Sequence, residues 1–157
     1  MLCKQTKLTV EGDDIVYSTL VGGSGSDLSA AIALDADNNP WITGSTTVKT
    51  IPDFPNPSVT LNTEAFVAQI VPKTIVIPGI GIPFRPPLII TKFGVGFGAY
   101  LSGDDFDRGL GIAVDIADQV YVAGVTRSTD FATLNAFQPD FSGGFDDGFV
   151  VKFGPAD

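Results

Sequence analysis

An internal echo constrains this chain more than any other feature. Ile32-Ala33-Leu34-Asp35 returns as Ile112-Ala113-Val114-Asp115, and Trp41-Ile42-Thr43-Gly44 returns as Tyr121-Val122-Ala123-Gly124, both 80 positions on. Glu64-Ala65-Phe66-Val67-Ala68 returns as Asp147-Gly148-Phe149-Val150-Val151 at an offset of 83. A repeat longer than one hairpin implies a supersecondary unit used twice. Within each copy the apolar runs are short and are broken by glycine or proline, and none keeps a sustained helical period. With 18 Gly and 11 Pro in 157 residues, of which 44% are hydrophobic, the pattern predicts an all-β domain with many turns and enough apolar side chain for a core.

The first copy reads as strands at 15–21, 30–34, 41–44 and 66–70. The second reads as strands at 96–101, 110–114, 120–124 and 149–153. The division follows: an N-terminal arm over 1–14, a first repeat over 15–70, an apolar Pro/Gly-rich insertion over 71–95, and a second repeat over 96–157. Four short antiparallel strands per copy describe a blade of a propeller. Small residues at Ala30, Ala31 and Ala33, and again at Gly109, Gly111 and Ala113, suit an inner strand where blades crowd together.

At this point the sequence resembles a known family. YSTLVGGSGSDLSAAIALDADNNPWITGST, and more fully AYLSGDDFDRGLGIAVDIADQVYVAGVTRSTDF with the later DGFVVKF, are similar to the bacterial SBBP repeat, a β-propeller repeat. The resemblance implies propeller-type sheets in an exported or surface-associated bacterial protein, with no defined reaction. Met1 opens a segment without the apolar stretch of roughly 7–15 residues that marks a secretory signal, so an extracellular or cell-surface location rests on the resemblance.

Two repeats cannot close a propeller, which typically uses about four to eight blades. In this repeat type the YSTLV-like strand is outermost and the AIALD-like strand innermost, so the chain opens on an outer strand without its blade and closes on a blade without its outer strand. The expectation is therefore an all-β protein of two four-stranded blades, completed by exchange of strands with neighbouring copies. The donor strand carries Ile15, Tyr17 and Leu20, and the acceptor edge carries Phe149 and Val151. An exposed strand edge templates such pairing. A head-to-tail contact of this kind gives a ring if the rotation closes and a filament if it does not. An apolar arm over 74–91, with Ile77, Ile80, Ile82 and Phe84, is expected to pack on a partner, its prolines preventing regular sheet pairing. The alternatives are a carbohydrate-binding module formed by an oligomeric ring, using aromatics such as Phe54, Phe131, Phe137 and Phe141, and a fragment of a longer propeller.

Chemistry is sparsely represented. There is no His and one Cys, which removes the usual general base, the usual zinc ligand and any internal disulfide, so no enzyme is expected. Asp35-x-Asp37-x-Asn39 starts like a calcium loop, but Pro40 stands where that loop needs Gly, so a tight turn is the stronger reading. Asp104, Asp105 and Asp107 form the densest acidic group and are a weak calcium candidate. Asp27 and Asp107, present in both copies, are expected to brace the loop before the inner strand. No other cofactor is expected. Nine basic residues without a stripe, in a chain of net charge −9, argue against nucleic acid. The 17-residue apolar tract over 74–90 contains prolines and Arg85 and is too short and broken for a membrane helix.

Overall fold

The computed structural model describes residues 3–55, 62–77 and 88–154. Among them there are nine strands and no helix. The strands are β1 (Cys3–Leu8), β2 (Ile15–Val21), β3 (Asp27–Leu34), β4 (Pro40–Thr46), β5 (Glu64–Ile77), β6 (Leu88–Leu101), β7 (Asp107–Val114), β8 (Val120–Thr126) and β9 (Asp147–Phe153). They form three antiparallel sheets: β1-β2, β3-β4-β5-β6 and β7-β8-β9.

The repeat is carried by identical pairing. Ile32 faces Ile42 as Ile112 faces Val122, and both ladders slip by one residue at the same place, between Ser29 and Ala31 and between Gly109 and Gly111. The slip is a bulge, which twists the strand and carries the carbonyl of Leu28 against Gly44 and that of Arg108 against Gly124. A Cβ at either glycine would overlap that carbonyl oxygen. Glycine is therefore required by the close approach of backbone, not by its dihedral freedom.

The sheets stack face to face. Because strand side chains alternate, β5 serves two cores at once. Phe66, Ala68 and Ile70 pack with Val21, Ile42, Ile51 and Phe54 on the side of β2. Ala65 and Val67 pack with Trp41, Leu101, Val120, Val122 and Phe149 on the side of the third sheet. Full burial of side chains such as Phe66 and Val67 contributes roughly 1.5–3 kcal/mol each.

β6 closes the first repeat's sheet, leaving that sheet with four strands and the second repeat's sheet with three, the order that the strand phase leads one to expect. Two expectations are revised. The first outer strand, β2, is not an orphan, because residues 3–8 of the expected N-terminal arm pair with it. The expected insertion over 71–95 is largely strand: β5 and β6 continue in register from Val71↔Gly94 to Ile77↔Leu88, with Pro72 opposite Phe93, while the prolines of the arm itself (Pro78, Pro83, Pro86 and Pro87) lie outside the described residues. Pro72 fits because β4 ends its pairing at Gln69, so beyond that point β5 is an edge strand and a residue there has no neighbour on its second side. Ile80, Ile82 and Phe84 lie outside the described residues.

Gly44→Ala is expected to lower unfolding stability by more than ~2 kcal/mol, since the bulge must open to admit the methyl group. Gly111→Ala, where an added Cβ meets nothing, is expected to cost well under ~1 kcal/mol. Chemical denaturation of both variants checks the contrast.

Candidate functional site

The open edge of β9 is the most distinctive surface. In the four-stranded sheet the corresponding edge, that of β5, is closed by β6, with Ala65 opposite Leu101, Phe66 opposite Tyr100 and Val67 opposite Ala99. Tyr100 is locked there by its neighbours. Its hydroxyl accepts a hydrogen bond from Ile51 N at 3.0 Å, and Phe54 lies 5.0 Å from its ring and 6.3 Å from that of Phe66. In the third sheet Phe131 stacks on Phe149 at 4.7 Å, as Phe54 meets Phe66, but no described strand takes the place of β6. A cavity of about 800 Å³ runs along β9 instead, bounded by residues 131–141 of the preceding loop.

The outward face of this sheet is uncovered as well. Val67 is 0% exposed because the third sheet lies on it, whereas its counterpart Val150 is 74% exposed. At the other end of the molecule β1 and β2 cover the complementary face incompletely: Ile32 is 58% exposed, while its counterpart Ile112 packs against the sheet before it. The chain thus exposes an apolar side chain toward each end whose counterpart in the other repeat is more deeply packed.

Of the expected donor residues, Ile15 and Leu20 are exposed, whereas Tyr17 is buried, stacked on Phe93 at 3.9 Å between centroids. Burial raises the Tyr17 phenol above its ordinary pKa. Of the expected acceptor residues, Phe149 is buried in the core shared with the four-stranded sheet and Val151 packs against that core, so both act from within the sheet while Val150 faces outward. Ile77 ends β5, on the hairpin away from these edges. Reading the strands singly missed Ile32 and Val150; matching the two repeats position by position finds them, since Val150 has a buried twin in Val67 and Ile32 a partly buried one in Ile112.

The acidic candidates are engaged in turns. The Asp35 carboxylate accepts hydrogen bonds from Asp37 N, Asn39 N, Asn39 Nδ2, Trp41 Nε1 and Gln69 Nε2, at 2.7–3.3 Å. Asp115 is held the same way by Ala117 N, Gln119 N and the Tyr121 hydroxyl. Asn38 and Asp118 take the left-handed conformation that completes each turn. The Asp37 side chain makes none of these turn bonds. Asp104 accepts from Thr129 N and Thr129 Oγ1, and Asp105 from Phe106 N. Asp27 and Asp107 accept from Gly23 N and Gly103 N four residues upstream, which braces the loop before each inner strand. Among the described residues no three carboxylates converge on one point.

These bonds set the ionisation. Burial opposes charge on Asp35, but the hydrogen bonds from Gln69, Asn39 and Trp41 outweigh it and hold the carboxyl below its ordinary pKa. The Gln119 amide does the same for Asp115, and the Thr129 amide for Asp104. Asp107 is raised by burial. The three depressed groups stabilise the fold fully above the ordinary carboxylate range and lose that contribution as pH falls through their folded values. Asp107 behaves oppositely, its contribution being present at low pH and lost as pH rises through its raised value.

No family model matches the chain, and no curated protein does.

Asp35→Ala is expected to cost ~1–3 kcal/mol at neutral pH, because Trp41 Nε1 and Gln69 Nε2 lose their acceptor. The gap from the parent protein should narrow as pH falls below about 3.9, where the parent loses the same bonds to a carboxylate. Urea titrations across pH measure both.

Proposed function

We propose that this protein is a noncatalytic structural subunit that assembles with copies of itself, head to tail, by completing one another's sheets. The observation that carries the reading is the open edge of β9, set against the closed edge of β5. The strand that closes β5 is β6, and the residues of β6 at 97–101 are the sequence counterparts of β2 at 17–21, 80 positions earlier. A β2 strand from a second copy, laid on β9 in the register of β6 on β5, puts Val21 opposite Gly148, Leu20 opposite Phe149 and Thr19 opposite Val150. Leu20, exposed in the single chain, then enters the cavity beside Phe149 and Phe131, where Tyr100 sits in the first repeat. The same movement sets the exposed Ile32 of the second copy against the exposed Val150 face of the first. Main-chain bonds supply adhesion and the side-chain pockets supply register.

The resemblance to the SBBP repeat supports propeller-type blades and a bacterial surface or extracellular setting for such assemblies. Repetition of the contact yields a ring or a filament according to the rotation per subunit. A carbohydrate-binding ring and a longer chain whose next repeat supplies the missing strand are the competing outcomes.

Light-scattering mass and negative-stain images of purified protein test the reading. Discrete rings or long polymers are expected. Val150→Asp, a change at an exposed position, should return the protein to its 16.4-kDa monomer with an unchanged circular dichroism spectrum. A parent protein that remains monomeric at high concentration, or assembly undiminished in Val150→Asp, would overturn it. Saturable binding on a glycan array with no self-association would favour the carbohydrate module.

A further inference from the structure

Assembly in this form has a competitor within the chain. The hairpin β1-β2 repeats the pairing of β5-β6: Gln5 faces Thr19, Thr6 faces Ser18 and Lys7 faces Tyr17, just as Val67 faces Ala99, Ala68 faces Gly98 and Gln69 faces Phe97. Each β2 residue and its β6 counterpart are 80 positions apart. β1 therefore occupies, on β2, the place that β5 occupies on β6 and that β9 of a second copy must occupy in the assembly. Both cannot pair with the same edge of β2.

The fit of β1 to that place is poor. Gln5 stands at the position held by Val67 in β5 and Val150 in β9. It is only 9% exposed, and its side-chain oxygen has no hydrogen-bond partner. Burying such a group unsatisfied costs roughly 1–3 kcal/mol. Lys4, Gln5 and Thr6 also leave a cavity of about 290 Å³ against β3 and β4, bordered by Ala30, Ile32 and Ile42. The corresponding space between β5 and the third sheet is filled by the buried Val67, Val120 and Val122. β2 itself is well anchored, through Val21 in the core and Tyr17 on Phe93, so only its partner on that one edge is badly matched.

We infer that β1 is a stand-in strand: it covers the edge of β2 in the free subunit and is displaced by β9 of a second copy, whose Val150 takes the place of Gln5. The inference rests on the assembly reading above and adds its control. An isolated subunit keeps its donor edge covered, and assembly proceeds by exchange of a weakly held strand for a better one.

A reversible covalent lock tests this in the full chain. Thr6 Oγ1 and Ser18 Oγ lie 3.0 Å apart across β1 and β2 on the solvent side. Thr6→Cys and Ser18→Cys, in a Cys3→Ser background, should form an intrachain disulfide, verified by non-reducing electrophoresis and mass. The oxidised protein is expected to assemble at least tenfold less than the same protein after reduction, with Val150→Asp failing to assemble in either state. Equal assembly of oxidised and reduced forms, with Val150→Asp still monomeric, would overturn displacement of β1 and leave the assembly reading intact. Assembly of the Val150→Asp protein to the parent level would sink the assembly reading itself.

Discussion

Burial of β5 on both faces is the interaction on which the other arrangements depend. Phe66, Ala68 and Ile70 look toward β2 while Ala65 and Val67 look toward β8 and β9. The six residues 65–70 therefore tie three sheets together, and the contacts between neighbouring sheets recur because the residues that make them are repeated. Val21 reaches the first core as Leu101 reaches the second. The four-stranded sheet has a neighbour on either side, whereas among the described residues Val150 at one end and Ile32 toward the other remain exposed.

Polar residues do a different task. Asp35, Asp115, Asp27 and Asp107 accept backbone or side-chain donors within turns that precede or follow the inner strands. Their effect is to fix where each strand starts, which keeps the apolar alternation in phase with the stack. The buried Glu64, paired with Lys49 at 3.3 Å, begins β5 and lies across Thr46 from Asp27 in the ladder, so the acidic residues gather at one end of the four-stranded sheet. A net charge of −9 is thus partly structural in origin.

Much of the fold could be read from the residues because turn chemistry is a local signal and the internal repeat marks each strand twice. Asp-x-Asp-x-Asn followed by Pro40 marked a turn, and the short apolar runs at 66–70 and 149–153, matched between the copies, marked two strands. The strand β1 escaped notice because Lys4, Thr6 and Lys7 carry no apolar pattern. Its pairing is a consequence of the hairpin with β2, not of a preference of its own. The extension of β5 past Pro72 was hidden for the opposite reason: proline is a breaker only where its missing donor is wanted, and that depends on whether β4 is alongside. The exposed Val150 and Ile32 became visible only through the stacking of the sheets, since in isolation each is an ordinary strand residue.

The ladder slip between Gln69 and Ile70 sits where β5 leaves its four-stranded sheet and continues with β6 alone. From Val71 the two strands run on as a narrow spar for seven residues, which at ~3.3 Å per residue carries it roughly 23 Å. The extra residue is Gly96 of β6, so Phe97 and Val95, two positions apart, look to opposite sides: Phe97 meets Trp41, while Val95 packs on the core shared with β2. β5 keeps its alternation unbroken, so one glycine lets a single strand serve first one core and then the other.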